Sequence, residues 1–365
     1  MVSIILFSLL VAEAALAQQR IGTVFVIALE NHNLTQPADQ TTPTQLLGNS
    51  AAPFQNSLIT PGHPNAIDVS WASNYQNAGL GIHPSELNYI WSEAGSALGV
   101  TNDHEPYQES GGNNRNAVHL TGLLQQSGIG WKSYQEDIDL AKDEHGKLTA
   151  TMLPQGDWTV PLHAIEGVSA AYTNPYNGSH SYHYAPKHNP PIFFTDTNGG
   201  NNPTNSNFQS RHYAPLQQLE LDLRNDTVER YNWITPNLYN DSHDPLPEGF
   251  TYHGVHYTAD QARVAQGDNF LSIIVPRIMA SEAYKKNGVI IIWWDETEGE
   301  NDSNRTLEEI VISPLAKGNA YTNKIKYTHS SDLLTMQRLF NVGPCLADAC
   351  LATDLSDLFR PGAIP

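Results

Sequence analysis

Residues 23–29 form an almost entirely apolar run that stops abruptly at the polar triplet Glu30-Asn31-His32. A short apolar run that is rich in β-branched residues predicts a buried strand. Strands buried on both faces are typical of parallel sheets, and such sheets bind their ligands at the carboxyl ends of the strands. We therefore expect Glu30 and Asn31 to lie where an α/β enzyme binds a metal ion. The alternative is that Glu30 caps the next element and Asn31 forms a turn.

A second strand of the same kind, residues 288–294, ends at Asp295-Glu296. Two buried strands that lie far apart in the sequence thus both end in oxygen-bearing side chains. This repetition favours one shared site over two solvated loops. Oxygen ligands suit Mg²⁺, Ca²⁺ or Mn²⁺ better than a metal that prefers thiolates.

Segments of strand character alternate with segments of helical periodicity along the rest of the chain. This alternation predicts an α/β fold with a mainly parallel central sheet. The helical segments predicted from periodicity cover residues 84–95, 117–127, 269–284 and 330–340, with Asp268 as the N-cap of the third.

The first residues resemble a targeting signal. Residues 4–17 are apolar and rich in small side chains, and Ala15-Leu16-Ala17 fits a signal-peptidase cleavage site. The run is too short for a good membrane span. We therefore expect a signal peptide over residues 1–17 and a secreted or periplasmic protein without a stable membrane span.

The net charge of −19 opposes binding to nucleic acid or to anionic membranes. An anionic substrate would then need local positive charge, which a bound metal ion would supply. The two cysteines, Cys345 and Cys350, lie close enough in sequence for a local disulfide in an exported protein, and two free thiols are the alternative.

Ser85 stands in the sequence His83-Pro84-Ser85-Glu86, which reads as the beginning of a helix. Backbone N–H groups at a helix N-terminus favour anions such as phosphate. A serine hydroxyl becomes a nucleophile when a base or a metal ion activates it, and a metal held by the two strand ends could do so. From the local sequence alone, a simple N-cap is the favoured interpretation of Ser85.

Several short motifs, in this order, resemble the phosphoesterase family of acid phosphatases and phosphatidylcholine-type phospholipases C, within the alkaline phosphatase superfamily. They cover about residues 22–340, and the main ones are Glu30-Asn31-His32, the segment 83–89, Asp241-Ser242-His243-Asp244, Trp294-Asp295-Glu296 and Thr328-His329-Ser330-Ser331. The resemblance implies a three-layer sandwich with helices on both faces of the sheet. It also implies a single phosphoesterase domain over residues 18–365.

The resemblance also implies roles for individual residues. Ser85 matches the superfamily nucleophile, and a divalent ion (Ca²⁺, Mg²⁺, Mn²⁺ or Zn²⁺) would be held by Glu30, Asn31, Asp295 and Glu296. His329 and His243 match residues that could protonate the leaving group. Asn102 and His188 are the expected phosphate contacts, and Asp241 and Asp244 form a possible second metal cluster.

The chain departs from the family pattern at Glu93-Ala94-Gly95, where many relatives carry a hydroxyl-bearing segment. We therefore expect an additional carboxylate, Glu93, near the site. The leading functional hypothesis is a secreted metal-dependent phosphatase that hydrolyses small phosphate monoesters through a Ser85 phosphoenzyme. The alternatives are a phosphodiesterase or phospholipase C, and a non-catalytic extracellular binding protein. A sulfatase is disfavoured, because the chain has no Cys-x-Pro-x-Arg segment.

Overall fold

A central eight-stranded sheet organises the protein in the computed structural model, which describes residues 20–79, 82–107, 111–300 and 302–365. The expected signal peptide, residues 1–17, lies outside the described residues. The strands of the central sheet are β1 (Val24–Leu29), β2 (Val69–Ala72), β3 (Trp131–Gln135), β8 (Tyr213–Pro215), β9 (Tyr231–Thr235), β12 (Val289–Trp294), β13 (Glu309–Ile312) and β14 (Tyr321–Asn323). Three two-stranded hairpins are formed by β4 (Leu140–Lys142) with β5 (Leu148–Met152), β6 (Ile165–Val168) with β7 (Ser181–Tyr184), and β10 (Phe250–Tyr252) with β11 (Val255–Tyr257).

The helices of the described residues differ widely in length. The α-helices are α1 (Pro53–Leu58), α2 (Glu86–Ala94), α3 (Leu120–Gln126), α4 (Gln209–His212), α5 (Leu216–Asn225), α6 (Ala259–Met279), α7 (Glu282–Lys285) and α8 (His329–Phe340). Short 3₁₀ helices cover Pro64–Ala66, Gln155–Asp157, Pro186–His188, Pro190–Phe193, Ala347–Leu351 and Leu355–Leu358.

The central sheet is mainly parallel, with the strand order β14-β2-β13-β12-β1-β9-β3-β8. Strand β13 runs antiparallel to both of its neighbours, whereas the other adjacent strands pair in parallel. Helices α2, α3 and α8 pack together in one group, and α1, α5, α6 and α7 pack in another. Side chains alternate between the two faces of a strand, and those of β1 and β12 are all buried. These strands therefore contribute core residues on both faces of the sheet, one toward each group of helices. The α/β fold with helices on both faces of a mainly parallel sheet is thus confirmed.

Four adjacent parallel strands, β12, β1, β9 and β3, end at the same edge of the sheet. Residue Leu29 pairs with Trp294, so Glu30 and Asp295 directly follow paired positions. The backbone N–H of Asp295 donates to the carbonyl of Leu29 at 3.1 Å, which extends the pairing by one residue. The topology therefore brings together the two strand ends that the sequence singled out.

The expectation that Asp268 caps a helix over residues 269–284 is wrong. Helix α6 begins at Ala259, and Asp268 lies buried in its middle. Its carboxylate accepts hydrogen bonds from the backbone N–H groups of Phe54 and Gln55, at 2.9 and 2.8 Å. Asp268 therefore caps the N-terminus of α1, a helix more than 200 residues earlier in the sequence.

The carboxyl group of Glu308, immediately before β13, is buried, and burial together with the nearby Asp268 raises its pKa to about 8. The folded protein then keeps a proton that the unfolded chain releases near its ordinary pKa of 4.5. Stability is unaffected below that value, falls as the pH rises between the two pKa values, and levels off above the higher one. Between about pH 5 and about pH 8, Glu308 makes the unfolding free energy fall with pH by about 1.4 kcal/mol per pH unit, and Glu308→Gln should remove this contribution to the slope. Denaturant titrations across this range test this, and identical pH slopes in both proteins would contradict it.

Near the C-terminus, Cys345 and Cys350 are joined by a disulfide. Among the residues that the structure describes, none of the helices combines the length and the apolar character needed to cross a bilayer.

Candidate active site

The two strand ends are tied together through Asn31. This residue adopts a left-handed backbone conformation, with φ of 58°, which asparagine tolerates better than most side chains. The turn aims its backbone N–H at Asp295 Oδ1, 2.9 Å away. The side chain of Glu30, just before it, is fully buried. Glu30, Asn31 and Asp295 thus share one small volume.

Helix α2 presents two hydroxyl groups to Glu30. Ser85 stands at the N-cap of the helix, and its Oγ donates to Glu30 Oε2 at 2.9 Å. Tyr89 lies four residues later on the same helical face, and its hydroxyl donates to Glu30 Oε1 at 2.6 Å. The predicted nucleophile is therefore in direct contact with a predicted metal ligand.

Glu296 is held by the segment that carries Ser85. Its Oε2 lies 2.9 Å from His83 Nδ1 and accepts a hydrogen bond of 2.9 Å from the side-chain amide of Asn88. His83 and Asn88, which lie on either side of Ser85 in the sequence, thus fix the side chain of Glu296.

The loop after β9 adds Asp241 to the same volume. The backbone N–H of Glu30 donates to the Asp241 carbonyl at 2.8 Å. The imidazole of His188, which is buried, lies between two carboxylates, with Nε2 3.1 Å from Glu30 Oε1 and Nδ1 3.1 Å from Asp241 Oδ2. His188 therefore bridges the ends of β1 and β9.

The carboxylates at this sheet edge carry an excess of negative charge. Burial, and then repulsion from Asp295 and Asp241, raise the pKa of Glu30 well above its ordinary value. Burial also raises the pKa values of Asp295, which is next to Glu296, and of Asp241. The buried oxygens Asn31 Oδ1 and Asp295 Oδ2 have no hydrogen-bond partner among the described residues.

These features fit a divalent cation, which would satisfy the unpaired oxygens and offset the repulsion. The donor set is oxygen only, as hard cations prefer. Within the described residues, however, no three His, Cys, Asp or Glu side chains are already grouped as a metal site.

His329 lies behind Asp295 and does not face open space. Its ring is buried, with Nε2 hydrogen-bonded to the backbone carbonyl of Asp295 and Nδ1 2.7 Å from the hydroxyl of Tyr75. Tyr75 also contacts Asp332. Burial lowers the pKa of His329 to about 4. Both ring nitrogens are thus engaged within the protein.

His243, by contrast, reaches the surface of the site, with a quarter of its side chain exposed. Its Nδ1 lies 2.9 Å from Asp244 Oδ1, and its backbone N–H donates to Asp241 at 2.8 Å. Asp244 also lies 3.4 Å from His183, and hydrogen bonds from the two histidines hold its pKa below the ordinary value. Asp241 and Asp244 therefore both contact His243, the first through its backbone N–H and the second through its ring.

Asn102 is connected to the helix start through Asn113. The side-chain amide of Asn113 donates to Asn102 Oδ1 at 2.8 Å and to Glu86 Oε1 at 2.6 Å. Asn102 therefore lies near the N-terminus of α2, although the contacts that fix it are to Asn113 and to the backbone of His104.

The expectation that Glu93 adds a carboxylate to the site is wrong. Glu93 lies eight residues after Ser85, at the other end of α2, about 12 Å along the helix axis. Its carboxylate accepts hydrogen bonds from the backbone and hydroxyl of Thr121, both at 2.9 Å, and lies 2.8 Å from His119. Glu93 thus links α2 to the start of α3.

Sequence reasoning missed four residues around the site. Tyr89 could have been found from its spacing to Ser85. Asp103 accepts the backbone N–H of Glu86 and lies 3.3 Å from Lys187, and these two could have been found from their positions next to Asn102 and His188. Tyr75 gives no local signal, because it lies in an irregular segment and meets His329 only through the fold.

Comparison with known proteins assigns the chain to a protein family. The model of the phosphoesterase family matches residues 77–343, well over half of the chain. A phosphate-repressible acid phosphatase of Penicillium chrysogenum is 23% identical over 68% of this chain and 47% of its own length. The chain thus spans about half the length of this curated acid phosphatase.

Two further similar proteins align along most of the chain. A phosphatidylinositol-3-phosphatase of Mycobacterium tuberculosis is 22% identical over 96% of this chain and 87% of its own length. The solved structure of the lipoteichoic acid synthase LtaP from Listeria monocytogenes superposes with a TM-score of 0.49 and 11% identity, over 90% of this chain and 74% of that one. The match of the family model over residues 77–343 confirms the family that the motifs indicated, and this chain belongs to the phosphoesterase family.

Proposed function

We propose that this protein is a metal-dependent phosphatase that hydrolyses small phosphate monoesters through a covalent intermediate on Ser85. The observation that carries the proposal is the position of the Ser85 hydroxyl. It lies at the N-terminus of α2 and 2.9 Å from Glu30, at the edge where buried, mutually repelling carboxylates converge. The family membership and the similarity to acid phosphatases support the same reaction.

Glu30, Asn31, Asp295 and Glu296 would hold the cation. When bound, a divalent ion offsets the negative charge of phosphate and nucleophile and lowers the pKa of a coordinated hydroxyl. Tyr89 orients Glu30 through its short hydrogen bond, and Asn31 fixes Asp295 through its backbone N–H. Residues of this kind that orient the ligands tune a metal site.

The chemistry has two steps. Ser85 Oγ attacks phosphorus and passes its proton to Glu30 Oε2, the bond to the leaving oxygen breaks, and the N-terminus of α2 stabilises the negative charge of the phosphoryl group. Water then attacks the phosphoserine and gives a proton to His243 while Glu30 returns one to Ser85 Oγ, so that inorganic phosphate and the free serine are released. Positioning and charge stabilisation account for most of the catalysis in such reactions.

We assign proton transfer to the leaving oxygen to His243. It is the more accessible of the two expected histidines: Asp244 holds its Nδ1, and its Nε2 lies 3.3 Å from Lys187 Nζ, a contact that opens before Nε2 carries the proton. His329 then acts as a positioning residue for Asp295, since its ring is fully buried and its Nε2 is hydrogen-bonded to the Asp295 carbonyl. His188 positions Glu30 and Asp241, and Asn102 remains the proposed phosphate contact.

We also infer that the protein acts outside the cytoplasm. The apolar segment over residues 4–17, followed by an A-x-A sequence, supports export, as does the disulfide between Cys345 and Cys350.

The proposal is tested by assaying a chromogenic phosphate monoester and the matching diester, with and without chelator and after adding back Ca²⁺, Mg²⁺, Mn²⁺ or Zn²⁺. We expect chelator-sensitive turnover that favours the monoester. Preferred turnover of the diester would instead support a phosphodiesterase. An absence of turnover with every metal and across pH would overturn the proposal in favour of a binding protein.

A further inference from the structure

Lys187 is a cation at the mouth of the carboxylate cluster. Its Nζ lies 3.3 Å from Asp103 Oδ2 and 3.3 Å from His243 Nε2. About a fifth of its side chain is exposed, so a substrate can reach the ammonium group from solvent while the rest of the side chain is held by its surroundings. Burial alone would lower the pKa of Lys187, but the negative charges of Glu30 and Asp103 raise it above the ordinary value. Lys187 therefore stays protonated.

Asp103 joins this lysine to the nucleophile's helix. One carboxylate oxygen of Asp103 accepts the backbone N–H of Glu86, the residue after Ser85, at 3.1 Å, while the other contacts Lys187. A single carboxylate therefore spans a lysine ammonium and the first N–H group of α2. Both donors are groups that bind phosphate oxygens in proteins.

We propose that Lys187 binds an equatorial oxygen of the substrate's phosphate, and that the carboxylate of Asp103 occupies this position until phosphate displaces it. The inference rests on the proposed function and names the group that recognises the substrate's charge. A phosphoryl group on Ser85 is covalently attached one residue from the Glu86 N–H that Asp103 now contacts. Its oxygens and the Asp103 carboxylate therefore compete for the same donors.

This arrangement selects the more highly charged ester. A phosphate monoester carries a second negative charge that a diester lacks, so an additional ammonium group stabilises the monoester more. Lys187 therefore favours monoesters over diesters. Its contact with His243 Nε2 also places it beside the group that we assign to the leaving oxygen.

The first test is binding of inorganic phosphate to the metal-loaded protein, measured by calorimetry and as competitive inhibition. Loss of one charge-assisted contact in Lys187→Met should weaken phosphate binding about 10- to 100-fold. Lys187→Arg should restore most of the affinity. Asp103→Asn should change it in the opposite direction and tighten binding, because the competing negative charge is removed while the shape is kept.

A matched control is available in Lys317, which pairs with Asp357 at 2.7 Å in a lysine–aspartate contact outside the site. Lys317→Met should leave phosphate binding unchanged. Unchanged phosphate affinity in Lys187→Met, or weaker binding in Asp103→Asn, would overturn the inference. Should Lys187→Met fail to fold, the tighter phosphate binding expected for Asp103→Asn still decides it.

The second test is the ratio of monoester to diester turnover. In Lys187→Met, kcat/KM for the monoester should fall more than that for the diester, so the ratio falls toward one. A purely structural role would lower both activities equally and would contradict the inference. Phosphate binding that depends on Lys187 in a protein without esterase activity would instead reject the proposed function and retain the binding site.

Discussion

Ser85→Ala is expected to lower kcat for a phosphate monoester by at least about 1000-fold, the scale seen when a covalent nucleophile is removed. The Ser85 hydroxyl lies 2.9 Å from Glu30 and begins α2, so its loss removes the attacking atom. The substitution removes one hydrogen bond to Glu30, while that from Tyr89 remains. Steady-state kinetics of the purified variant measure the effect.

Ser92→Ala is the matched control for this substitution. Ser92 lies on the same helix, and its hydroxyl donates at 2.7 Å to the backbone carbonyl of Tyr89 instead of to a carboxylate. We expect this variant to keep wild-type kcat. Retention of most of the turnover in Ser85→Ala would contradict the covalent mechanism, and an equal loss in both variants would indicate damage to the helix.

Asp295→Asn is expected to abolish activity and to lower divalent-metal affinity by at least about 100-fold, since residues that merely orient metal ligands already cost about 10- to 100-fold. The asparagine keeps the shape of the side chain and an oxygen that can accept the Asn31 N–H. It removes the negative charge from a position where one carboxylate oxygen has no hydrogen-bond partner within the part of the chain that the structure describes. Metal content after dialysis and turnover should fall together.

The control for this variant is Asp139→Asn. Asp139 is also a buried carboxylate, but it accepts hydrogen bonds from the backbone and hydroxyl of Thr159, at 3.0 and 2.8 Å. Its substitution should leave metal content unchanged. Turnover that persists in a metal-free Asp295→Asn protein would remove the metal from the mechanism.

The sheet and its carboxyl edge could be predicted from sequence because their signals are local. The apolar run before Glu30 and the run before Asp295 each mark a buried strand, and parallel pairing then places their ends together. The prediction failed for Asp268, since a capping side chain serves whichever helix N-terminus the fold brings to it. Nothing in the residues around Asp268 distinguishes its own helix from α1.

The candidate site was predictable in its residue types and less so in how they are connected. His329 and His243 were equivalent candidates in the sequence, but the fold buries the first against Asp295 and leaves the second partly exposed. Lys187 and Asp103 meet across 84 residues of chain, so no spacing rule relates them. Such contacts depend on the tertiary arrangement of loops, which periodicity does not encode.

The most direct test of the central claim is to look for phosphate on Ser85 itself. The enzyme would be mixed with a phosphate monoester, quenched in acid within a single turnover, digested and examined by mass spectrometry. We predict a phosphorylated peptide that contains Ser85, formed before inorganic phosphate is released and absent from Ser85→Ala. Full turnover of the ester without any phosphate on that peptide would show direct attack by water and would contradict the account.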